Sequence, residues 1–227
     1  MPTRLQALAA AVPSGSRVAD VGTDHGQLLT LLVRGRGVTR AIGIDRSGAA
    51  LRAAAGVTAD ARVELREGNG LDPIAPHEVD SVVLAGLGAS SIVEILERAR
   101  DRWPEFACIV LQPRTQWSHL RRWIAAQPLT LRHESIVFEH GRAVLVCAVA
   151  PAPARPPVSW DDDDLWLGPL LRRAPTPTYA RWLAQQLRAC ERALRHSQRG
   201  HASPPELHAQ HHRIVAALAA LPPTLAP

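Results

Sequence analysis

Two aspartates, a threonine and a histidine crowd into one glycine-bounded stretch, Asp20-Val21-Gly22-Thr23-Asp24-His25-Gly26. The apolar residues Val18 and Ala19 lead into it, and Leu28-Leu29-Thr30-Leu31-Leu32-Val33 leads out. That order reads as a strand, a glycine turn and a helix whose first amides face whatever lies over the turn. Gly22 lets the backbone bend and approach a ligand closely, and Gly26 keeps the helix start free of a side chain. Carboxylates at 20 and 24 suit a cationic or hydroxyl-bearing ligand better than a phosphate. An ordinary structural turn after a strand has the same look.

More candidates stand at the ends of other apolar runs. Asp45 closes Ala41-Ile42-Gly43-Ile44, 25 residues after Asp20. An acid there accepts hydrogen bonds from ribose hydroxyls in nucleotide-binding α/β folds; alternatively it caps the next helix with Ser47. Gly68-Asn69-Gly70 follows Val63–Arg66, where Asn69 either reads an adenine edge or fills a glycine-flanked turn. Ala85-Gly86-Leu87-Gly88-Ala89-Ser90 follows Val79–Leu84, small residues against which a ligand and its acceptor can lie. Gln112-Pro113-Arg114 follows Cys108–Leu111.

Positioning these groups requires a series of strand–helix units. Thr3–Val12 has the spacing of an amphipathic helix, and Pro13-Ser14-Gly15-Ser16 a turn. Helices are expected over Ser47–Ala55, around Ile92–Leu96 and from Ser118. In the last of these Leu120, Trp123 and Ile124 face inward while Arg121 and Arg122 point elsewhere. Leu129–Phe138 pairs with Ala143–Ala150 across Glu139-His140-Gly141-Arg142, a closing hairpin with one strand antiparallel to the rest. Five strand–helix units and a hairpin describe an open, mostly parallel sheet covered on both faces. Ligands bind outside the carboxyl ends of the strands in such sheets, and every candidate named so far falls at one.

Length and composition allow one sizeable α/β domain and a small appendage: 227 residues, 46% of them hydrophobic. All 26 basic residues are Arg, and the net charge of +5 is compatible with a nucleic-acid partner. Cys108, Cys147 and Cys190 are far apart, with neither a metal pattern nor a disulfide framework; Cys108 and Cys147, in apolar strand-like runs, read as buried free thiols. The chain shows no long apolar run and no secretory leader, so a reducing cytoplasm is the expected compartment.

A stiff proline-rich linker, Pro151–Pro157, separates residues 1–151 from a linker and helical region over 152–227. Asp161–Asp164 reads as a solvated helix start. Tyr179, Leu183, Leu187, Cys190 and Leu194 recur at four, four, three and four, one helix seam, with Arg181, Arg188, Arg192, Arg195 and Arg199 mostly on other faces. Arg172 to Arg199 contains seven Arg against Glu191, a balance of +6. Ser203-Pro204-Pro205-Glu206 has the form of a capping box, opening a second, antiparallel helix through Leu207, Ile214, Leu218 and Leu221. The Arg face is either a solvated surface or an RNA contact. His196, His201, His208, His211 and His212 lack ligand geometry.

Arg17–Gly26, Gly68-Asn69-Gly70-Leu71, Ala85-Gly86-Leu87-Gly88 and Leu111-Gln112-Pro113 resemble, in order and spacing, the TrmK-type bacterial tRNA adenine-N1 methyltransferases. The likeness runs through residues 4 to 150, and the family's helical, coiled-coil-like C-terminal domain is echoed by 160–221. It implies a Rossmann-like class I methyltransferase sheet of seven strands, the last antiparallel. S-adenosyl-L-methionine is the implied cofactor and tRNA the partner, with methylation at N1 of adenine 22. Asp20, Gly22, Thr23, Gly26, Asp45, Gly68, Asn69, Ala85 and Gly86 are the implied cofactor residues. His25, Gln112, Pro113 and Arg114, with Arg181, Arg188, Arg192 and Arg195, are expected to bind the substrate. Asp24 is the candidate to hold the adenine amine during transfer. No metal and no membrane are expected, and the protein is expected to be a monomer or weak dimer.

Several positions depart from the family. Asp45 stands where Glu is commoner and Asn69 where Asp is usual. Leu87 and Ala89 replace a Met and a Gly, and Arg114 replaces an Asn. Arg has no acceptor for an adenine amine but can stack on a base or bind a phosphate. Two other readings stay open: a methyltransferase acting on another RNA site or a small molecule, and a non-catalytic RNA-binding homologue. A nicotinamide dehydrogenase fits less well, because the turn lacks the G-x-G-x-x-G spacing.

Overall fold

The computed structural model describes residues 2–152, 154, 156–197 and 205–225. The chain divides into two compact units, Met1–Trp160 and Asp161–Pro227.

In the first unit, α1 (Arg4–Ala11) precedes β1 (Arg17–Val21), α2 (Gln27–Gly35), β2 (Arg40–Asp45), α3 (Gly48–Ala55), β3 (Val63–Glu67), β4 (Ser81–Leu87), α4 (Ala89–Arg98), β5 (Cys108–Pro113), α5 (Trp117–Ala125), β6 (Leu129–Glu139) and β7 (Arg142–Pro151). The seven strands form one sheet in the order β3-β2-β1-β4-β5-β7-β6. All pairs from β3 to β5 are parallel, and β7 is antiparallel to both β5 and β6. The order reverses between β1 and β4, the crevice where ligands of open α/β sheets bind.

The central strands carry the core. Val18, Ala19, Val82, Val83, Leu84, Ile109, Val110 and Leu111 are wholly buried, as expected for strands covered on both faces. Leu8 and Val12 of the first helical segment and Leu28, Leu29, Leu32 and Val33 of α2 form one cluster with Val18, Val83 and Val110. A capping box between Thr3 and Gln6 starts α1. The edge strand β3 is charged instead: Glu64 pairs with Arg40 and Arg66, and Arg66 pairs with Glu78. A charged edge resists pairing with another sheet.

The structure differs from the sequence-based expectations in three places. β3 is followed by turns rather than a helix, because Pro73 and Pro76 interrupt the segment before β4. β4 runs on through Ala85, Gly86 and Leu87, past a bulge opposite β5. Arg121, expected to point away, is buried, and its Nε donates to Glu134 at 2.7 Å with both side chains 1% exposed. A register shift between Leu131 and His133 explains the pair. Before the shift Leu129 and Leu131 face inward; after it Glu134 and Ile136 do. The extra residue flips the strand's parity and turns a carboxylate into the core.

The second unit contains α6 (Asp162–Leu167), α7 (Pro169–Arg173), α8 (Pro177–Ser197) and α9 (Pro205–Ala219). Asp161 caps α6, and Arg172 and Arg213 pair with the acid run. Tyr179, Leu183 and Cys190 of the α8 seam are buried, as is Ile214 of α9. The seam also includes Trp182, which stacks near Trp166 and Tyr179 at 5.8 and 5.7 Å. Arg199, His201, Ser203 and Pro204 lie outside the described residues. No helix among the described residues is long and apolar enough to cross a membrane.

Candidate active site

At the tip of β1 the chain turns through Gly22, at φ 78°. The amides of Gly22 and Thr23 both donate to the Ile44 carbonyl, at 2.8 and 3.0 Å, and so staple the turn to β2. Asp20 sits beneath the turn, 3% exposed, and accepts from the Thr23 hydroxyl at 2.9 Å. Burial pushes its carboxyl up to about 6; the Thr23 hydrogen bond and the Arg4 charge oppose the rise, and Asp45 adds to it.

Asp24 and His25 project from the crest of the turn, and both are exposed. Asp24 lies in the left-handed region at φ 49°, its carboxylate 3.6 Å from the His25 Nε2. Its amide donates to one Asp45 oxygen at 3.3 Å, while the Ser47 amide donates to the other at 2.9 Å. Asp45 thus braces the start of α3 and also lines the crevice. Gly26 serves packing. A Cβ there would lie 2.6 Å from the Thr58 methyl and 3.1 Å from the Ala54 Cβ, so α2 could not start so close to α3.

Three adjoining cavities open along the carboxyl edge of the sheet. The first, about 520 Å³, is walled by Asp20, Gly22, Thr23, Asp24 and Asp45 and by Ala85 and Gly86 opposite. The second, about 240 Å³, shares Gly22, Asp45 and Leu87 with the first and runs over Gly68, Asn69 and Ile95. The third, about 360 Å³, shares Arg4 and Gly86 with the first and is lined by Gln112, Pro113 and Arg114. Gln112 is 3% exposed and braces the bulge: its Oε1 accepts from the Gly86 amide at 3.0 Å, and its Nε2 donates to the Pro113 carbonyl at 3.1 Å. Gly86 itself needs φ 72°, which a side chain would strain.

The candidate residues of the first unit thus meet at one edge, except Gly26, which lies outside the cavity walls. Arg181, Arg188, Arg192 and Arg195 are exposed on α8 of the second unit. Sequence reasoning missed Arg4 and Leu8, which α1 brings over the first cavity. It also missed Ile95 on α4 and Glu139 and Arg142 at the hairpin. Only the amphipathic spacing of α1 hinted at a covering helix, and nothing in it said which part of the sheet it covers.

The arrangement can hold a cationic head at Asp20, a sugar at Asp45 and a base between Asn69 and Ile95, with a second molecule admitted past Gly86. Known methyltransferases resemble this chain in sequence and in fold. The tRNA (adenine(22)-N(1))-methyltransferase of Bacillus subtilis (strain 168) is 32% identical over 143 residues, 61% of this chain and 60% of that protein. The chain spans about three-fifths of the length of the curated relatives it matches. Among solved structures, Streptococcus pneumoniae Sp1610 in complex with S-adenosyl-L-methionine has a TM-score of 0.82 at 23% identity, covering 96% of this chain and 99% of that one. M. capricolum TrmK, in complex with S-adenosyl-homocysteine, has a TM-score of 0.77 at 18% identity, covering 98% and 99%. At these identities the structural likeness is one of fold. The sheet order, the stapled glycine turn and a family match over residues 1–146 converge, and the chain belongs to the methyltransferase domain family.

Proposed function

We propose that this protein transfers a methyl group from S-adenosyl-L-methionine to N1 of an adenine in tRNA, at position 22 as the name of its B. subtilis relative states. The observation that carries the reading is the chain of cavities at the switch point, acidic where a cationic cofactor would sit and open at Gly86 toward an acceptor.

The residues present fit that cofactor. The Asp20 carboxylate, buried and held by a hydroxyl rather than a cation, suits the ammonium of the methionine part. Asp45 has oxygens to accept from the ribose, and Asn69 can accept from the adenine amine through its side-chain carbonyl with Ile95 as an apolar wall. Backbone at Gly22, Thr23, Gly68, Ala85 and Gly86 lets the ligand lie close. The cofactor supplies an activated methyl group on a sulfonium. The protein's task is positioning: to bring the adenine N1 in line at ~3 Å, keep water out and hold the base once drawn from its stack.

Asp24 is proposed to accept a hydrogen bond from the exocyclic amine of the target adenine and to offset the positive charge that N1 methylation creates. His25 faces Asp24 and orders the crest of the turn. Pro113 and Arg114 border the acceptor, and Gln112 fixes the bulge they follow. In the second unit, Arg181, Arg188, Arg192 and Arg195 are proposed to grip tRNA phosphates, so that binding weakens steeply with salt. The division of labour follows the proposed boundary, catalysis in residues 1–151 and tRNA contact in 152–227.

Methyl transfer to unmodified tRNA transcripts, followed by nucleoside mapping, tests the reading. 1-Methyladenosine at position 22 is the expected product. Arg114, in place of the family's Asn, favours one rival, methylation elsewhere in RNA or on a small molecule, and a different methylated product would establish it. Absence of both transfer and S-adenosylmethionine binding by calorimetry would reduce the protein to a binding homologue.

A further inference from the structure

The third cavity has a feature that the methyl-transfer reading does not use. Its outer rim is the β6–β7 hairpin, closed by the two-residue turn His140-Gly141, with φ 48° and 76°. Two successive left-handed residues make the tight turn that matches strand twist. The tip is also tied down: Glu139, the last residue of β6, accepts from the Arg4 Nε of α1 at 3.2 Å. Directly opposite Glu139 in the register is Arg142.

Arg142 and Arg114 face the same small cavity from neighbouring chain ends. The one carboxylate in its lining, Glu139, is committed to Arg4. Among the described residues neither Arg114 nor Arg142 takes part in an ion pair, and Arg142 is exposed. Two guanidinium groups that line a cavity of about 360 Å³ and take part in no ion pair among the described residues suit an anion. The cavity is of the size that holds a small ligand group, and Gly86 leads from it to the first cavity.

We propose that the hairpin tip is a phosphate clamp: Arg142, with Arg114, holds a phosphodiester next to the target nucleotide while its base passes Gly86. The inference rests on the RNA substrate read above and names how that substrate is held. Arg142 is a positioning residue. It fixes the backbone of the nucleotide and so the approach of N1, without touching the reacting atoms. The Arg4–Glu139 pair makes the clamp stiff by joining the tip to the helix that covers the first cavity.

The test uses the full chain and a tRNA transcript carrying either natural phosphates or one neutral methylphosphonate on the 5′ or 3′ side of adenine 22. Arg142→Ala is compared with the parent and with Arg132→Ala, which removes an equal charge from an exposed position on β6. Expected for Arg142→Ala are ~10-fold weaker RNA binding and a salt slope lower by about 1. S-adenosylmethionine affinity and melting temperature should stay at the parent values. Arg142→Lys should recover part of the loss. One of the neutral linkages should weaken the parent and leave Arg142→Ala unaffected, the mark of a direct pair.

Equal binding by the parent and Arg142→Ala, including no measurable binding by either, overturns the clamp. So does the same loss in Arg132→Ala, or a neutral linkage that costs both proteins equally. Displacement of the RNA by an acidic peptide at matched charge, with no sensitivity to either methylphosphonate, would assign the tip to a protein partner and also overturn it. Failure of methyl transfer with the binding pattern intact would instead defeat only the reaction assignment, so the two failures are separable.

Discussion

Among the described residues of the first unit two carboxylates are buried, and they are treated in opposite ways. Glu134 faces the Arg121 guanidinium at 2.7 Å in a site sealed from water. Asp20 lies equally deep but has a threonine hydroxyl as its hydrogen-bond partner, with the nearest opposing influence, Arg4, acting at longer range. The first charge is neutralised within the fold. The second is left poised at the wall of a cavity, its carboxyl raised to about 6. A buried charge without its counter-charge is costly to the apo protein and valuable to a cationic ligand. The core thus completes its own pair, whereas the crevice leaves the completing charge to come from outside.

Breaking the core pair should have the largest effect. Arg121→Ala removes the guanidinium facing buried Glu134 and should cost ~3–5 kcal/mol, read as a lowered denaturant midpoint. Replacing both, Arg121→Met with Glu134→Leu, should recover most of that loss. A double variant as unstable as the single one would mean that the pair is not a self-contained unit.

Asp20→Asn should have the opposite effect on the apo protein. At neutral pH the ionised carboxylate costs the fold up to ~3 kcal/mol relative to an exposed Asp, so the variant should be more stable. It should also bind S-adenosylmethionine ~10–100-fold more weakly, the range expected when a charged hydrogen-bond acceptor is lost. A variant that is destabilised, or that binds the cofactor normally, would remove Asp20 from the ligand site.

The same group sets a pH dependence. Its folded value, about 6, lies above the ordinary 3.8. The native state therefore holds the proton more tightly than the unfolded chain, and the stability this contributes is lost as the pH rises from about 4 through about 6. The parent-minus-Asp20→Asn difference in unfolding free energy should fall across that window and then level off. A cationic ligand favours ionised Asp20, so cofactor binding should release a proton near pH 6 and weaken below it. Calorimetry in buffers of different ionisation enthalpy would detect that release, and a buffer-independent heat at pH 6 would contradict it.

Asp24 sharpens the contrast from outside the core, since its side chain is 73% exposed. Asn tolerates the left-handed backbone as Asp does, so Asp24→Asn removes charge with little strain. Cofactor affinity should hold while the transfer rate falls ~10-fold, at the low end of what a positioned acid–base or hydrogen-bonding group contributes. An unchanged rate would exclude Asp24 from the reaction.

Much of the crevice was legible before any coordinates. Asp20, Gly22, Asp45 and Gly86 each follow an apolar run and Asn69 follows the alternating Val63–Arg66, and in a parallel sheet the residue after a strand lies at the carboxyl edge whatever the side chains do. The segments Leu129–Phe138 and Ala143–Ala150 on either side of Glu139-His140-Gly141-Arg142 likewise announced a hairpin. Arg121 was not legible, because helical spacing places it beside the inward Leu120 without saying what β6 presents to it.

Sequence alone determined the order of the strands, the parallel sheet with its closing antiparallel hairpin, and most of the strand-tip residues. Those depend on local periodicity and on glycine and proline, which act within a few residues. Only the tertiary structure decided that the β6 bulge turns Glu134 inward, that α1 carries Arg4 to both Glu139 and the cavities, and that Gln112 spends its amide on Gly86. Each joins groups 26 to 135 residues apart or rests on a one-residue change of register. No local pattern encodes such a meeting; it exists once the sheet has brought distant backbone into contact.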